Sequence, residues 1–194
     1  MVYKYAMEND YVVKNYAQFI KLPPLPKSTR DAFNAVEIES LWYDYHTGHD
    51  FTGYILILIY TVMRLGELQQ LKKENIDLSE RVMIGGIKTE AGIDRRIVIA
   101  NKILPIVTEF YNRQKKLLEM QEKDFYAEYY AALERASARK LTPHCCRHTF
   151  ATLMAESGAQ PAIIKTIAGH EKYETTLHYT HLSLESLLTA IDQI

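Results

Sequence analysis

Cysteine is nearly missing from this 194-residue chain: it has two, Cys145 and Cys146, side by side. Neighbouring cysteines build no disulfide framework, so a reducing, cytoplasmic setting is expected. Long apolar runs are missing as well. The longest, YILILIY at residues 54–60, is far too short to cross a bilayer and reads as a buried core segment, so no membrane partner is expected. The N-terminal stretch lacks the charged, apolar, small-residue layout of a signal peptide. There is no surplus of one charge either. The 23 Lys and Arg stand against 24 Asp and Glu, for a net charge of −1. Phosphate-tracking domains are usually basic. Affinity for nucleic acid would therefore depend on where the cations sit, or on another part of a longer protein. Internal repeats and low-complexity segments are also lacking.

What remains is ordinary for a folded domain, at 47% apolar and 24% charged residues. Pro23-Pro24-Leu25-Pro26 favours an extended path and reads as a linker. The segment before it, through Ile20, has too few apolar residues to fold alone. Residues 1–27 are therefore expected to be the tail of a preceding domain plus a linker, in a protein longer than this chain. Asn34 followed by Glu37 predicts a capping box that opens a helix ending near Gly48. Residues 54–60 predict a core helix, and residues 61–71 a further helix with Leu65, Leu68 and Leu71 inward. Between residues 76 and 100 the pattern turns to strand, centred on Val82-Met83-Ile84 and on residues 95–100, with a turn over residues 90–94. One long helical stretch is expected from Ile103 to about Arg139. Thr142-Pro143 predicts the next helix start, and Gln160-Pro161 another that Gly169 ends. Leu184, Leu187, Leu188 and Ile191, at i, i+3, i+4, i+7, give a last amphipathic helix. The fold class expected is mainly α with a small antiparallel β-hairpin or sheet.

Three clusters can carry chemistry. In TVMRLGEL (residues 61–68) Arg64 and Glu67 would share a helical face, with the carboxylate orienting the guanidinium. An isolated RxxE is usually only a surface ion pair. In PHCCRHTFAT (residues 143–152) His144 and Arg147 fall in the first turns of a helix, where free N–H groups and the dipole favour an anion. His148, four residues on, reads as well as a buried histidine bonded to backbone. In GHEKYETTLHYTH (residues 169–181) Tyr179 stands close to His170. A tyrosine hydroxyl, with a pKa of about 10, is a poor nucleophile unless cations stabilise the charge developing on the group it attacks. Among 14 tyrosines, a single one is far more often core or surface than catalyst. The His and Cys residues also invite a zinc reading. Adjacent helical cysteines point about 100° apart, however, and no CxxC pair exists, so no metal is expected.

Taken together, the patterns TxMRxxEL, TPHxxRHTFAT and GH…TTxxYTH resemble the motifs of the tyrosine recombinase (phage integrase) family, over about residues 30–194. The resemblance is nearest to integrases of phages and integrative conjugative elements. It implies the tyrosine recombinase catalytic-domain fold over residues 28–181. It also implies a C-terminal helix at residues 182–194, docked in its own core or exchanged between subunits. Tyr179 would attack the scissile phosphodiester, forming a 3′-phosphotyrosyl link and releasing a 5′-hydroxyl. Arg64 and Arg147 match the arginines that clamp the phosphate, His144 the histidine of the HxxR motif, and His170 a further hydrogen-bond donor. Lys88 matches the lysine that protonates the leaving oxygen, and Glu67 a supporting acid. The resemblance implies no metal and no other cofactor, with double-stranded DNA as partner and a homotetramer on that DNA. An inert DNA-binding or assembly module and a Xer-type resolvase of the same chemistry are the competing readings. Val62 departs from the family pattern, where glycine is common, and so do Cys145-Cys146, where Asp-Leu is common.

Overall fold

The computed structural model describes residues 2–20, 31–85, 95–113, 116–168 and 182–194. Helix α1 (Val2–Glu8) buries none of its residues. Helices α2 (Ala35–His46) and α3 (Thr52–Thr61) form a hairpin. They are followed by α4 (Leu65–Gln70) and by a three-stranded antiparallel sheet, β1 (Ile76–Asp77), β2 (Val82–Gly85) and β3 (Arg95–Val98). The chain continues through α5 (Leu104–Arg113), α6 (Glu122–Arg135), α7 (Pro143–Glu156), α8 (Pro161–Ala168) and α9 (Leu184–Ile191). The expected class, mainly helical with a small antiparallel sheet, is what the chain adopts.

Helix α3 is apolar on every side and is the axis of the core: all ten of its residues are buried. Burying each of its Ile and Leu side chains is worth about 1.5–3 kcal/mol. Helix α7 lies against it and turns Cys146, Phe150 and Met154 inward at i, i+4, i+8. Helix α5 comes so close that a Cβ built on Gly53 would stand 2.7 Å from the Phe110 ring. Only glycine fits that crossing. In the sheet, Met83 pairs with both Ile76 and Ile97, and the buried side of the strands faces the helices.

Helix α2 begins as the sequence predicts. The Asn34 side chain accepts from the Glu37 N–H at 2.9 Å, and the Glu37 carboxylate accepts from the Asn34 N–H at 2.8 Å. Glu37 is also buried, and Arg139 grips it with Nε at 2.7 Å and a terminal nitrogen at 2.8 Å. One heptad along α2, the buried Asp44 accepts from Thr52, His49 and Arg135. Two acids on one helix thus meet two arginines spaced i, i+4 beyond and at the end of α6. These pairs tie α2 to the chain that leads into α7.

Two expectations need correction. The helix expected over residues 61–71 is broken: Val62 adopts a left-handed conformation (φ +57°) and Arg64 is extended, so α4 starts only at Leu65. The long helix expected from Ile103 to about Arg139 is also two helices. Helix α5 ends at Arg113 and α6 starts only at Glu122; between them Lys116 makes an isolated bridge to Lys72, and Leu117 and Leu118 are buried in the core. The turn expected over residues 90–94 and the helix end expected at Gly169 lie outside the described residues. Helix α9 packs on its own chain. Leu187 and Ile191 are buried in the common core, and Asp192 accepts two bonds from Arg81 at 2.9 Å and two from Asn101 at 2.8 Å.

The hydrogen bond from Arg139 holds the Glu37 carboxyl at about 2, below its ordinary 4.5, against the opposing effect of burial. A depressed carboxyl pKa stabilises the fold above the ordinary value, and that contribution is lost as pH falls from about 4.5 towards about 2. Urea midpoints for the wild type and Glu37→Gln should therefore converge on going from about pH 6 to about pH 3. A gap that stays constant with pH would contradict this.

Candidate active site

The site begins where α3 stops. A left-handed residue at a helix end is usually glycine, because a Cβ crowds the following carbonyl at a cost of about 1–2 kcal/mol. Here the residue is Val62, at φ +57° and ψ 14°, with only 1% of its surface exposed. Its methyls gain burial where its backbone loses freedom. The turn also aims the Val62 carbonyl away from the helix, and Arg147 donates to it at 2.8 Å. One of the positions at which the sequence departs from the family pattern is therefore one that holds an arginine.

Two residues on, Arg64 is the extended residue that opens α4. Its N–H donates to Glu67 at 2.8 Å and its guanidinium donates to the other carboxylate oxygen at 3.3 Å. The two residues do touch, but by capping rather than by sharing a helix face. The exposures differ sharply: the Arg64 side chain is 43% exposed and that of Glu67 is 5% exposed. The guanidinium thus reaches solvent from a fixed, buried carboxylate.

A residue not singled out by the motifs completes this arrangement. Arg95, the first residue of β3, is buried; it donates to Glu67 at 3.0 Å and to the Ile167 carbonyl at 2.8 Å. The signal for it was the alternation of the strand: Arg95 falls on the same side as the buried Ile97, with Arg96 exposed between them. Arg147, from the second turn of α7, donates its other terminal nitrogen to the Ala168 carbonyl. Two arginines from different elements thus satisfy the last two carbonyls of α8, at the end of the helix where cations are favoured. Burial first, then the charges of Arg64 and Arg95, bring Arg147 down to about 10. Burial likewise lowers Arg95, against the pull of Glu67. Arg64 and Arg95 share Glu67, and Arg95 and Arg147 hold adjacent carbonyls, so the three guanidiniums lie in one neighbourhood where an entering anion would relieve their mutual repulsion.

His144 is exposed in the first turn of α7, its ring edge-to-face with His148 at 4.9 Å. Thr142 is the N-cap residue as expected, but its hydroxyl meets Cys145 Sγ at 3.5 Å instead of capping the backbone. Cys146 is fully buried 3.7 Å from the Tyr129 hydroxyl, and burial pushes its thiol up to about 12. That keeps it protonated and unreactive. Among the described residues, no group of three or more His, Cys, Asp or Glu is arranged to hold a metal ion, and no helix is long and apolar enough to cross a membrane. Lys88, His170 and Tyr179 lie outside the described residues.

Residues 34–185 match the model of the phage integrase family. The chain belongs to that family. It is 30% identical over 209 residues to the tyrosine recombinase XerC of Psychromonas ingrahamii, covering 97% of this chain and 69% of the relative. It is 28% identical over 187 residues to the tyrosine recombinase XerA of Saccharolobus solfataricus, covering 90% of this chain and 62% of that relative. The chain thus spans under two thirds of the archaeal protein's length. The fold is similar to that of the integrase from mycobacterium phage Brujita, with a TM-score of 0.73 and 19% identity over 99% of this chain and 67% of the other. It is also similar to that of the Tn1549 transposon integrase solved in complex with a circular intermediate DNA, with a TM-score of 0.66 and 20% identity over 98% of this chain and 75% of the other.

Two measurements test this geometry. At an ordinary helical position Ala is about 1 kcal/mol better than Gly. At position 62 the order should invert, with Val62→Gly more stable than Val62→Ala by about 1 kcal/mol in urea unfolding. The helical order would show that the left-handed turn is not the chain's ground state. Removing the buried carboxylate in Glu67→Ala should cost roughly 3–5 kcal/mol by stranding Arg95. Arg64→Ala, losing a part-exposed pair, should cost under about 1 kcal/mol. Equal losses would count against Glu67 as the buried hub.

Proposed function

We propose that this chain is the catalytic domain of a site-specific tyrosine recombinase, which cleaves and rejoins double-stranded DNA through a covalent 3′-phosphotyrosine on Tyr179. The observation that carries this reading is the convergence of Arg64 and Arg147, each held from behind by buried groups, in a chain of the phage integrase family. Supporting it, two proteins of similar fold were solved with their targets, the XerH site-specific recombinase bound to its difH substrate and the Tn1549 integrase in complex with a circular intermediate DNA.

In this mechanism the two guanidiniums bind the non-bridging oxygens of the scissile phosphate and stabilise the charge that grows there as Tyr179 attacks. His144 and His170 add hydrogen bonds. Lys88 gives a proton to the departing 5′ oxygen, a general-acid role. The energy of the cleaved bond is kept in the phosphotyrosine, so a second 5′-hydroxyl rejoins the strand by the reverse displacement. Glu67 takes no proton; it aims Arg64. The DNA acted on is expected to be the attachment site of a mobile element, in the cytoplasm. Four protomers would assemble on it, with the rest of a longer protein supplying part of the grip that a chain of net charge −1 lacks.

The test uses the full-length protein and a pool of nicked duplexes that trap the covalent intermediate. Wild type should form a protein–DNA adduct stable in denaturant, and Tyr179→Phe should form none. Arg64→Ala and Arg147→Ala should each slow adduct formation by about 10²–10³-fold, the usual cost of losing a charge stabiliser. No adduct from wild type, with DNA still bound, would instead identify an inert DNA-binding module.

A further inference from the structure

Arg95 lies outside every motif that marks the family resemblance, yet it is among the most deeply placed charges of the described chain, its side chain only 6% exposed. A buried cation is expensive unless each of its donors is used. Its two terminal nitrogens point to different elements. One meets Glu67 on α4 at 3.0 Å and the other meets the Ile167 carbonyl at the end of α8 at 2.8 Å. Lysine, with one compact ammonium, does not reproduce a fork that spans two acceptors.

The partner it holds is the one that holds Arg64. The Glu67 oxygen that accepts from Arg95 also accepts from the Arg64 N–H, and its other oxygen accepts from the Arg64 guanidinium. Arg64 itself is half open to solvent, and a long, part-exposed side chain carries about 2 kcal/mol of rotamer entropy that must be lost before it can bind in one geometry. With Arg95 in place the carboxylate has a fixed direction, and the guanidinium bonded to it inherits that direction.

We infer that Arg95 is a positioning residue for the proposed strand-cleavage reaction, acting through Glu67 to aim Arg64 at the scissile phosphate. This rests on the reading of the chain as a tyrosine recombinase. Arg95 touches no substrate in this account. Its effect belongs to the transition state rather than to DNA affinity, because Arg64 contacts one phosphate among many.

The discriminating experiment is a double-mutant cycle on single-turnover adduct formation, in full-length protein at saturating nicked DNA, with Arg95→Met, Arg64→Ala and the pair. Arg95→Met should slow cleavage about 10- to 100-fold where Arg64 is present and less than about 3-fold where it is already Ala, the coupling expected of residues in one network. DNA affinity should move by less than about twofold, since the many other phosphate contacts remain. Arg95→Lys keeps the charge but not the fork. It should show the same coupling at smaller size, and it serves as the cycle's variant if the Met form does not fold. Equal slowing with and without Arg64 would make Arg95 a strut for α8 alone and overturn the inference. A loss confined to DNA binding, with unchanged cleavage at saturation, would overturn it too. If wild type forms no adduct, the recombinase reading falls and the inference falls with it; an active wild type with additive variants removes the inference only.

Discussion

The geometry of the site follows from the cost of burying one carboxylate. Glu67 is almost wholly enclosed, where an uncompensated charge is costly, so cations must come to it. Arg95 arrives from the sheet and Arg64 from the turn before α4, and both of the Glu67 oxygens are used. Each arrival fixes something else. Arg95 brings β3 to α4 and reaches on to the end of α8. Arg64 can approach only because α3 has already ended at Val62. The left-handed turn is therefore not a local irregularity. It frees the carbonyl that Arg147 uses, and it lets the chain reverse so that Arg64 opens α4 with its N–H donated to the Glu67 carboxylate.

The same chemistry is used elsewhere to a different end. Glu37 and Asp44 on α2 bind Arg139 and Arg135, also buried acids with arginine partners. At Glu37 the Arg139 fork closes bidentately on its carboxylate, and the pair holds helices together. Around Glu67 three guanidiniums share one neighbourhood, and burial first, then the charges of Arg64 and Arg95, push Arg147 below its ordinary value. A structural pair gains by neutralising itself. A group of like charges held by surrounding carbonyls and one acid is arranged to receive an anion, and this separates a site from a set of salt bridges.

The capping box at Asn34 and Glu37, the core segment at residues 54–60 and the Thr142-Pro143 helix start were legible because each is local: the residues that decide the structure lie within a turn of one another. The break at Val62 was not. A β-branched residue inside an apolar stretch reads as continued helix, and what pays for its left-handed backbone is burial of its methyls and a bond from Arg147, 85 residues away. The interruption near Leu117-Leu118 was hidden likewise, since it is marked by a bridge from Lys116 to Lys72, 44 residues away, which is tertiary. Arg95 was half legible. Alternation placed it on the inner side of its strand, but its reason for being there, Glu67 and the end of α8, is tertiary. Arg64, Arg147 and Glu67 were readable from motifs, while the way Arg64 meets Glu67, by capping instead of along a helix face, was not.

The segment that carries the proposed nucleophile departs from one anchored end and returns to another. At its start, Arg95 and Arg147 hold the Ile167 and Ala168 carbonyls. At its end, α9 is seated by Leu187 and Ile191 in the core and by Asp192 between Arg81 and Asn101. The two anchors are unequal, however. The first includes Arg147, proposed to bind the phosphate, so DNA and the start of the segment would draw on one arginine in common. The second draws on charges remote from the phosphate. Moving α9 off its own chain would mean giving up that apolar seat and all four bonds to Asp192, so the second anchor is held by packing and charge together.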